Sequence, residues 1–166
     1  YAALQKGLLT VAKKDKKNLF AGAILEIEGV EDLSVEEAFE LSDASAERSA
    51  AACTVALSLS RVKANVSDNV TLLKELLADG YQSRDALLRR IAALESWLAD
   101  PSLLRRDEQA AYKAVLDIDL ETVIEPLLAC PNDPDDIRPL SSVAGTSIDE
   151  AFIGSCMTHL SHLRAA

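Results

Sequence analysis

The sequence predicts an α/β fold, and three observations predict it. Short stretches alternate apolar and polar residues with a period of two, as residues 20–29 (FAGAILEIEG) and 115–120 (VLDIDL) do. Other stretches repeat large aliphatic residues every three or four positions, as Val70, Leu73, Leu76 and Leu77 do. The two kinds are interleaved along the chain, the order expected when strands and helices share a core.

Taken in order, residues 20–29 place Leu25 and Ile27 on one face and Ile24, Glu26 and Glu28 on the other. That is a strand with one mostly polar face. Ser34-Val35-Glu36-Glu37 has the spacing of a capping box, and Val35, Ala38 and Phe39 follow at helical spacing. Asp43 reads as a second N-cap, ahead of an alanine-rich helix over residues 44–52. Residues 53–60 (CTVALSLS) read as another strand. The Val70 stripe belongs to a helix stopped by Gly80 in a C′ position. Ser83 caps the next helix, with Leu87, Ile91, Leu94 and Leu98 inward and Asp100-Pro101 as its end. Pro101 suits the first position of a following helix. Residues 115–120 read as a strand, and Cys130-Pro131-Asn132-Asp133-Pro134-Asp135-Asp136 as a loop of turn formers. A boundary is expected near residues 137–143. A strand over residues 148–153 then leads into Gly154-Ser155-Cys156 and a helix. No internal repeat is present.

The chain has 166 residues, enough for one domain with a core, and 49% of them are hydrophobic, which excludes a disordered class. Its net charge of -10, from 27 acidic against 17 basic residues, repels phosphate backbones and argues against DNA binding. The short cluster Lys13-Lys14-Asp15-Lys16-Lys17 reads as a solvated loop. No apolar run approaches the roughly 20 residues of a membrane span, and no signal peptide is recognisable. Three cysteines, at positions 53, 130 and 156, are an odd number for a disulfide framework and point to a reducing, cytoplasmic setting. A first residue other than Met and an amphipathic last stretch read as cut ends.

Several residues carry possible chemistry. Cys156, at the expected strand-to-helix turn, would have backbone N–H groups and a helix dipole to stabilise its thiolate. Cys156, His159 and His162 share a helix face at spacings of three, which suits zinc; a turn cysteine with two surface histidines suits the same spacing. A Cys–His nucleophilic pair lacks a third, orienting group in sequence. Asp43 and Glu47, four residues apart on the expected alanine-rich helix, could do acid–base work in a cleft. Equally, Asp43 could be only a cap, with Glu47 paired to Arg48 or solvent. Asp133, Asp135 and Asp136 could hold a divalent cation, or form a rigid exposed turn among prolines. Cys53 and Cys130 read as inert core thiols, and Trp97 as core.

Five motifs in order bear a family resemblance: Gly7-Leu8-Leu9-Thr10-Val11, Ile24-Leu25-Glu26-Ile27-Glu28-Gly29, Asp43-Ala44-Ser45-Ala46-Glu47-Arg48-Ser49-Ala50-Ala51, Cys130-Pro131-Asn132-Asp133-Pro134-Asp135-Asp136 and Phe152-Ile153-Gly154-Ser155-Cys156-Met157-Thr158. Together they resemble the bacterial aconitase B family over essentially the whole chain. The resemblance implies an aconitase-type α/β fold, with residues 1–138 in the second domain of the core and 139–166 opening a third, cluster-binding domain. It implies that Cys156 is one of three cysteine ligands of a 4Fe–4S cluster, the other two lying in a CxxC pair beyond this sequence. Three thiolates leave one iron open to act as a Lewis acid on a tricarboxylic acid substrate. Glu47 matches the family glutamate near the substrate hydroxyl, Asp43 a polar active-site residue, and Ser155 a substrate-binding position. His159 stands where the family has Asn, and an imidazole must choose a tautomer where an amide both donates and accepts.

The resemblance thus implies a segment of a hydro-lyase interconverting citrate and isocitrate through cis-aconitate, with 2-methylisocitrate chemistry beside it. The segment would be inactive without the remaining aconitase domains. The alternative is a free-standing, catalytically silent interaction module. RNA binding, known among aconitases, finds no support in this acidic segment.

Overall fold

The computed structural model describes residues 1–10, 17–131, 133–158 and 160–165. Its elements run α1 (Ala2–Gln5), β1 (Ile24–Ile27), α2 (Val35–Asp43), a 3₁₀ turn (Ala46–Arg48), β2 (Ala52–Val55), α3 (Leu59–Ala78) and α4 (Arg84–Ala99). A second 3₁₀ turn (Leu120–Thr122), β3 (Leu127–Cys130), β4 (Asp133–Pro139), α5 (Leu140–Val143) and α6 (Leu160–Ala165) complete the order. The class is α/β, as the interleaved periodicities require. No described helix is long and apolar enough to cross a membrane. The chain divides into two units. A helical unit takes Glu26–Ser42 and Cys53–Gln109; a site-bearing unit takes Tyr1–Leu25, Asp43–Ala52 and Ala110–Ala166.

The helical unit follows its sequence closely. Its α2 starts in a complete capping box: Ser34 N–H donates to Glu37 Oε2 at 2.8 Å, and Glu37 N–H donates to Ser34 Oγ at 3.1 Å. In α3, Ser58 Oγ accepts from the Arg61 amide at 3.4 Å, so residues 57–60 serve the helix start rather than the expected strand. The far end of α3 closes as a Schellman motif. Tyr81 N–H reaches the Leu76 carbonyl, Gly80 N–H reaches that of Leu77, and Gly80 supplies the positive φ of 79°. Val70 on α3 and Leu87 and Ile91 on α4 are buried where the two helices pack. Burying such a side chain stabilises by roughly 1.5–3 kcal/mol. Leu94, Trp97 and Leu98 are half-buried on the same helix. The Lys74–Glu95 ion pair at 2.6 Å is half-exposed on both sides and adds little. The chain after Pro101 does not form the helix that proline could open.

β1 and β2 form one two-stranded sheet. Ala51 N–H bonds the Ala23 carbonyl, and Ala56 N–H bonds that of Ile27, both at 2.8 Å. The bonds advance in the same direction on both strands, a parallel pairing that needs a crossover such as the one containing α2. Both strands alternate exposed and half-buried residues, and Ile24 lies on the outer face as its pattern required.

In the site-bearing unit, three sequence expectations are overturned. Residues 133–136 belong to β4 rather than to a loop: β3 and β4 pair antiparallel, in one register from Leu127 opposite Pro139 to Ala129 opposite Ile137 and in a shifted one where Cys130 faces Asp133. Turn formers fill the strand because a tight reversal at Pro131 continues directly into it. Residues 115–120 form no strand, and Val115, Ile118 and Leu120 stand exposed. Residues 148–153 form none either; they are irregular, and Phe152 is 88% exposed. Alternation marks a strand only where a neighbouring strand takes up the backbone hydrogen bonds. Glu125 fastens the hairpin's exit: its carboxylate accepts from Ser141 N–H at 2.6 Å and Ser141 Oγ at 2.8 Å.

Candidate active site

Asp43 and Glu47 do not share a helix face. Asp43 is the last residue of α2, and the chain then turns into the 3₁₀ turn that carries Glu47 and Arg48. The expected alanine-rich helix over residues 44–52 is absent because Ser49 takes a left-handed φ of 61°, which ends any right-handed helix. Tertiary hydrogen bonds fix this path. Asn18 Nδ2 donates to the Arg48 carbonyl at 2.9 Å, and Gly22 N–H donates to that of Ser49 at 2.9 Å.

Cys156 does not sit at a strand-to-helix junction. It lies in a tight turn, with Thr158 N–H bonded to the Ser155 carbonyl at 3.2 Å, ahead of α6. The Ser155 hydroxyl builds that turn: it accepts from Met157 N–H at 3.2 Å and shares a hydrogen bond with Thr158 Oγ1 at 3.0 Å. The turn presents the Cys156 side chain to solvent.

This geometry brings two of the singled-out residues into contact. The Cys156 thiol donates to Asp43 Oδ2 at 3.1 Å, across 113 positions of sequence. The expected stabilised thiolate is therefore overturned. Asp43, by accepting the thiol hydrogen and by its charge, pushes Cys156 above the ordinary thiol range, and slight burial and the charge of Glu47 act in the same direction. The carboxylates outweigh the backbone contribution that favours the thiolate. All of these side chains are open to solvent.

The acidic triplet does not converge on one point. The Arg48 guanidinium pairs with Asp135, which is 4% exposed, and Arg138 grips Asp136 with two hydrogen bonds at 3.0 and 2.7 Å. Asp135 and Asp136 each face a different guanidinium, and Asp133 Oδ1 accepts from the Asp135 N–H at 3.1 Å. Cys53 and Cys130 are half-buried rather than core. A hydrogen bond to Asp136 pushes the Cys130 thiol up, which keeps it protonated. His162 lies on α6, while His159, with Lys13, Lys14, Asp15 and Lys16, falls outside the described residues.

Among the described residues no group of three His, Cys, Asp or Glu side chains is placed to hold a metal ion. An exposed thiol on a tight turn fits one ligand of a metal cluster, and only one. The Arg48–Asp135 pair was not singled out as a pair by the sequence. Its members lie 87 positions apart, and no spacing rule connects them.

No family model matches the chain. Against aconitate hydratase B of Escherichia coli (strain K12) it is 58% identical over 164 residues, 99% of this chain. Over its whole length the chain is similar to aconitate hydratase B. The aconitate hydratase B of Pseudomonas aeruginosa is 58% identical over 166 residues, 100% of the chain. The chain spans 19% of the length of each of these relatives. A 3-isopropylmalate dehydratase large subunit from Geobacter sulfurreducens is 40% identical over 98 residues, 58% of the chain. Hydratase and dehydratase name the two directions of one chemistry, the addition and removal of water.

Proposed function

We propose that the chain is part of an iron–sulfur hydro-lyase that interconverts citrate and isocitrate through cis-aconitate, and handles 2-methylisocitrate through the matching methylated intermediate. The observation that carries this reading is the meeting of Asp43 and Cys156 at 3.1 Å, with the charge of Glu47 felt at the same thiol. Those are residues to which the aconitase resemblance gives roles, and the fold draws them together from opposite ends of the sequence.

Cys156 would hold one corner of a 4Fe–4S cluster. When bound, such a cluster supplies a Lewis-acidic iron with an open position for substrate oxygens. Glu47, exposed on the 3₁₀ turn, can take a proton from the substrate or give one to its departing hydroxyl, at a carboxylate oxygen. Asp43 holds the Cys156 thiol while it is protonated and would be a polar group of the site once the sulfur, having lost that proton, served as a ligand; Ser155 sets the turn and offers its hydroxyl to the substrate. Residues 1–138 belong in this reading to the second domain of the core and residues 139–166 to the third. One thiol cannot hold a cluster, so the chain by itself is expected to be inactive. It would work beside the remaining domains, in the cytoplasm, on a tricarboxylic acid.

The test uses protein expressed from the complete gene, reconstituted anaerobically with iron and sulfide. The expected result is visible charge-transfer absorbance that Cys156→Ser abolishes. Glu47→Gln should keep the absorbance while hydration of cis-aconitate falls about 10²-fold or more. Unchanged absorbance and turnover in Cys156→Ser would sink the reading.

A further inference from the structure

We infer that Asp135 is a positioning residue for Glu47, acting through Arg48; the inference rests on the hydro-lyase reading, in which Glu47 moves the proton. The segment that bears Glu47 is held at both ends. At the front, Asp43 accepts the Cys156 thiol hydrogen bond at 3.1 Å. At the back, the Arg48 guanidinium is paired with Asp135 on β4. Between these two clamps lies a single 3₁₀ turn, Ala46–Arg48.

The rear clamp is the stronger one. Asp135 is 4% exposed and the Arg48 side chain 18%, so both charges have left most of their water behind. An uncompensated buried charge is strongly disfavoured, which ties the guanidinium to Asp135. Asp135 is itself fixed at the head of β4, where its N–H donates to Asp133 Oδ1 at 3.1 Å. The Arg48 and Ser49 carbonyls are taken by Asn18 and Gly22, each at 2.9 Å. Glu47 is one peptide bond from all of this. Its own side chain is exposed, so its position follows from that of the turn that carries it. The hairpin strand thereby determines where the carboxylate of the turn stands.

Outer partners of this kind typically contribute 10–100-fold to activity, and a displacement of about 1 Å can cost a similar factor. Asp135→Asn, in the reconstituted protein from the complete gene, is therefore expected to lower kcat by about 10-fold or more with KM within about twofold of its original value. In the same preparation, the amide hydrogens of Arg48 and Ser49 should exchange about tenfold faster or more, while those of α3 and α4 do not change. Both changes together support the inference. Faster exchange with unchanged kcat makes the pair merely structural, and lower kcat with unchanged exchange removes the turn as intermediary; either overturns it. Glu47→Gln, measured alongside, separates the two layers. If that variant keeps its kcat, the reading of Glu47 fails and takes the inference with it. If it loses turnover while Asp135→Asn does not, only the inference fails. Should Asp135→Asn not fold, Arg48→Lys decides instead, since it keeps the charge without the forked geometry. There a fall in kcat of about fivefold or more, with faster exchange, supports the inference, and unchanged kcat overturns it.

Discussion

A thiol that gives its hydrogen to a carboxylate is held back as a nucleophile, and Cys156 is so held by Asp43. Replacing Asp43 by Asn keeps an acceptor but removes the charge, so the thiolate should form at lower pH. Alkylation of Cys156 measured against pH is expected to show its midpoint move to lower pH in Asp43→Asn; an unmoved midpoint would mean the contact does not form in solution. At this scale the sequence announced Asp43, Glu47, Ser155 and Cys156 through their resemblance to a family. It did not announce their geometry. The spacing of four between Asp43 and Glu47 suggested one helix face, whereas the chain turns sharply between them. Asp135 looked like one more solvated turn acid, because burial by a partner 87 positions away leaves no local trace.

Elements whose hydrogen bonds are local were legible; of those whose bonds are distant, β1 and the start of β2 were legible by their alternation and the β3–β4 hairpin was not. The capping box of α2, the Schellman close of α3 and the stripe of α4 are written in residues three or four apart. The 44–52 helix failed because alanine's preference, at most about 1 kcal/mol per residue, competes with Asn18, Gly22 and Asp135 pulling the chain elsewhere. Ser34→Ala should therefore destabilise the helical unit by about 1 kcal/mol at neutral pH, read by urea unfolding. The partner of that cap adds a pH dependence. The Ser34 backbone and hydroxyl hydrogen bonds hold the Glu37 carboxyl below its usual range in the folded chain. A group depressed on folding contributes above its unfolded pKa and loses that contribution as pH falls through the folded one. The gap between the parent and Glu37→Gln should be present at neutral pH and close in acid; a gap constant with pH would mean the reciprocal cap is not populated.

For the chain as a whole, apolar content exceeds what the fold covers. Among the described residues the buried hydrophobics are Ala3, Leu9, Ala38, Val70, Leu87 and Ile91, while Leu104, Ile124 and Phe152 are at least 87% exposed. Exposed apolar surface on this scale is expected to bind a hydrophobic dye such as anilinonaphthalene sulfonate. A monodisperse monomer that leaves the dye dark would contradict it. An exposed apolar face is what a chain read as one segment of a larger enzyme should carry, although period-two and period-three patterns do not by themselves say which apolar residues stay uncovered.

The division into units also orders events in time. The helical unit ends at Gln109, while the site-bearing unit needs residues as late as Cys156 to close on Asp43. A ribosome adding 5–20 residues per second takes about 2–9 s to cover that interval, and helices form within microseconds. During synthesis the helical unit can be finished while Asp43 and Glu47, already made, still wait for the thiol and the hairpin that will fix them.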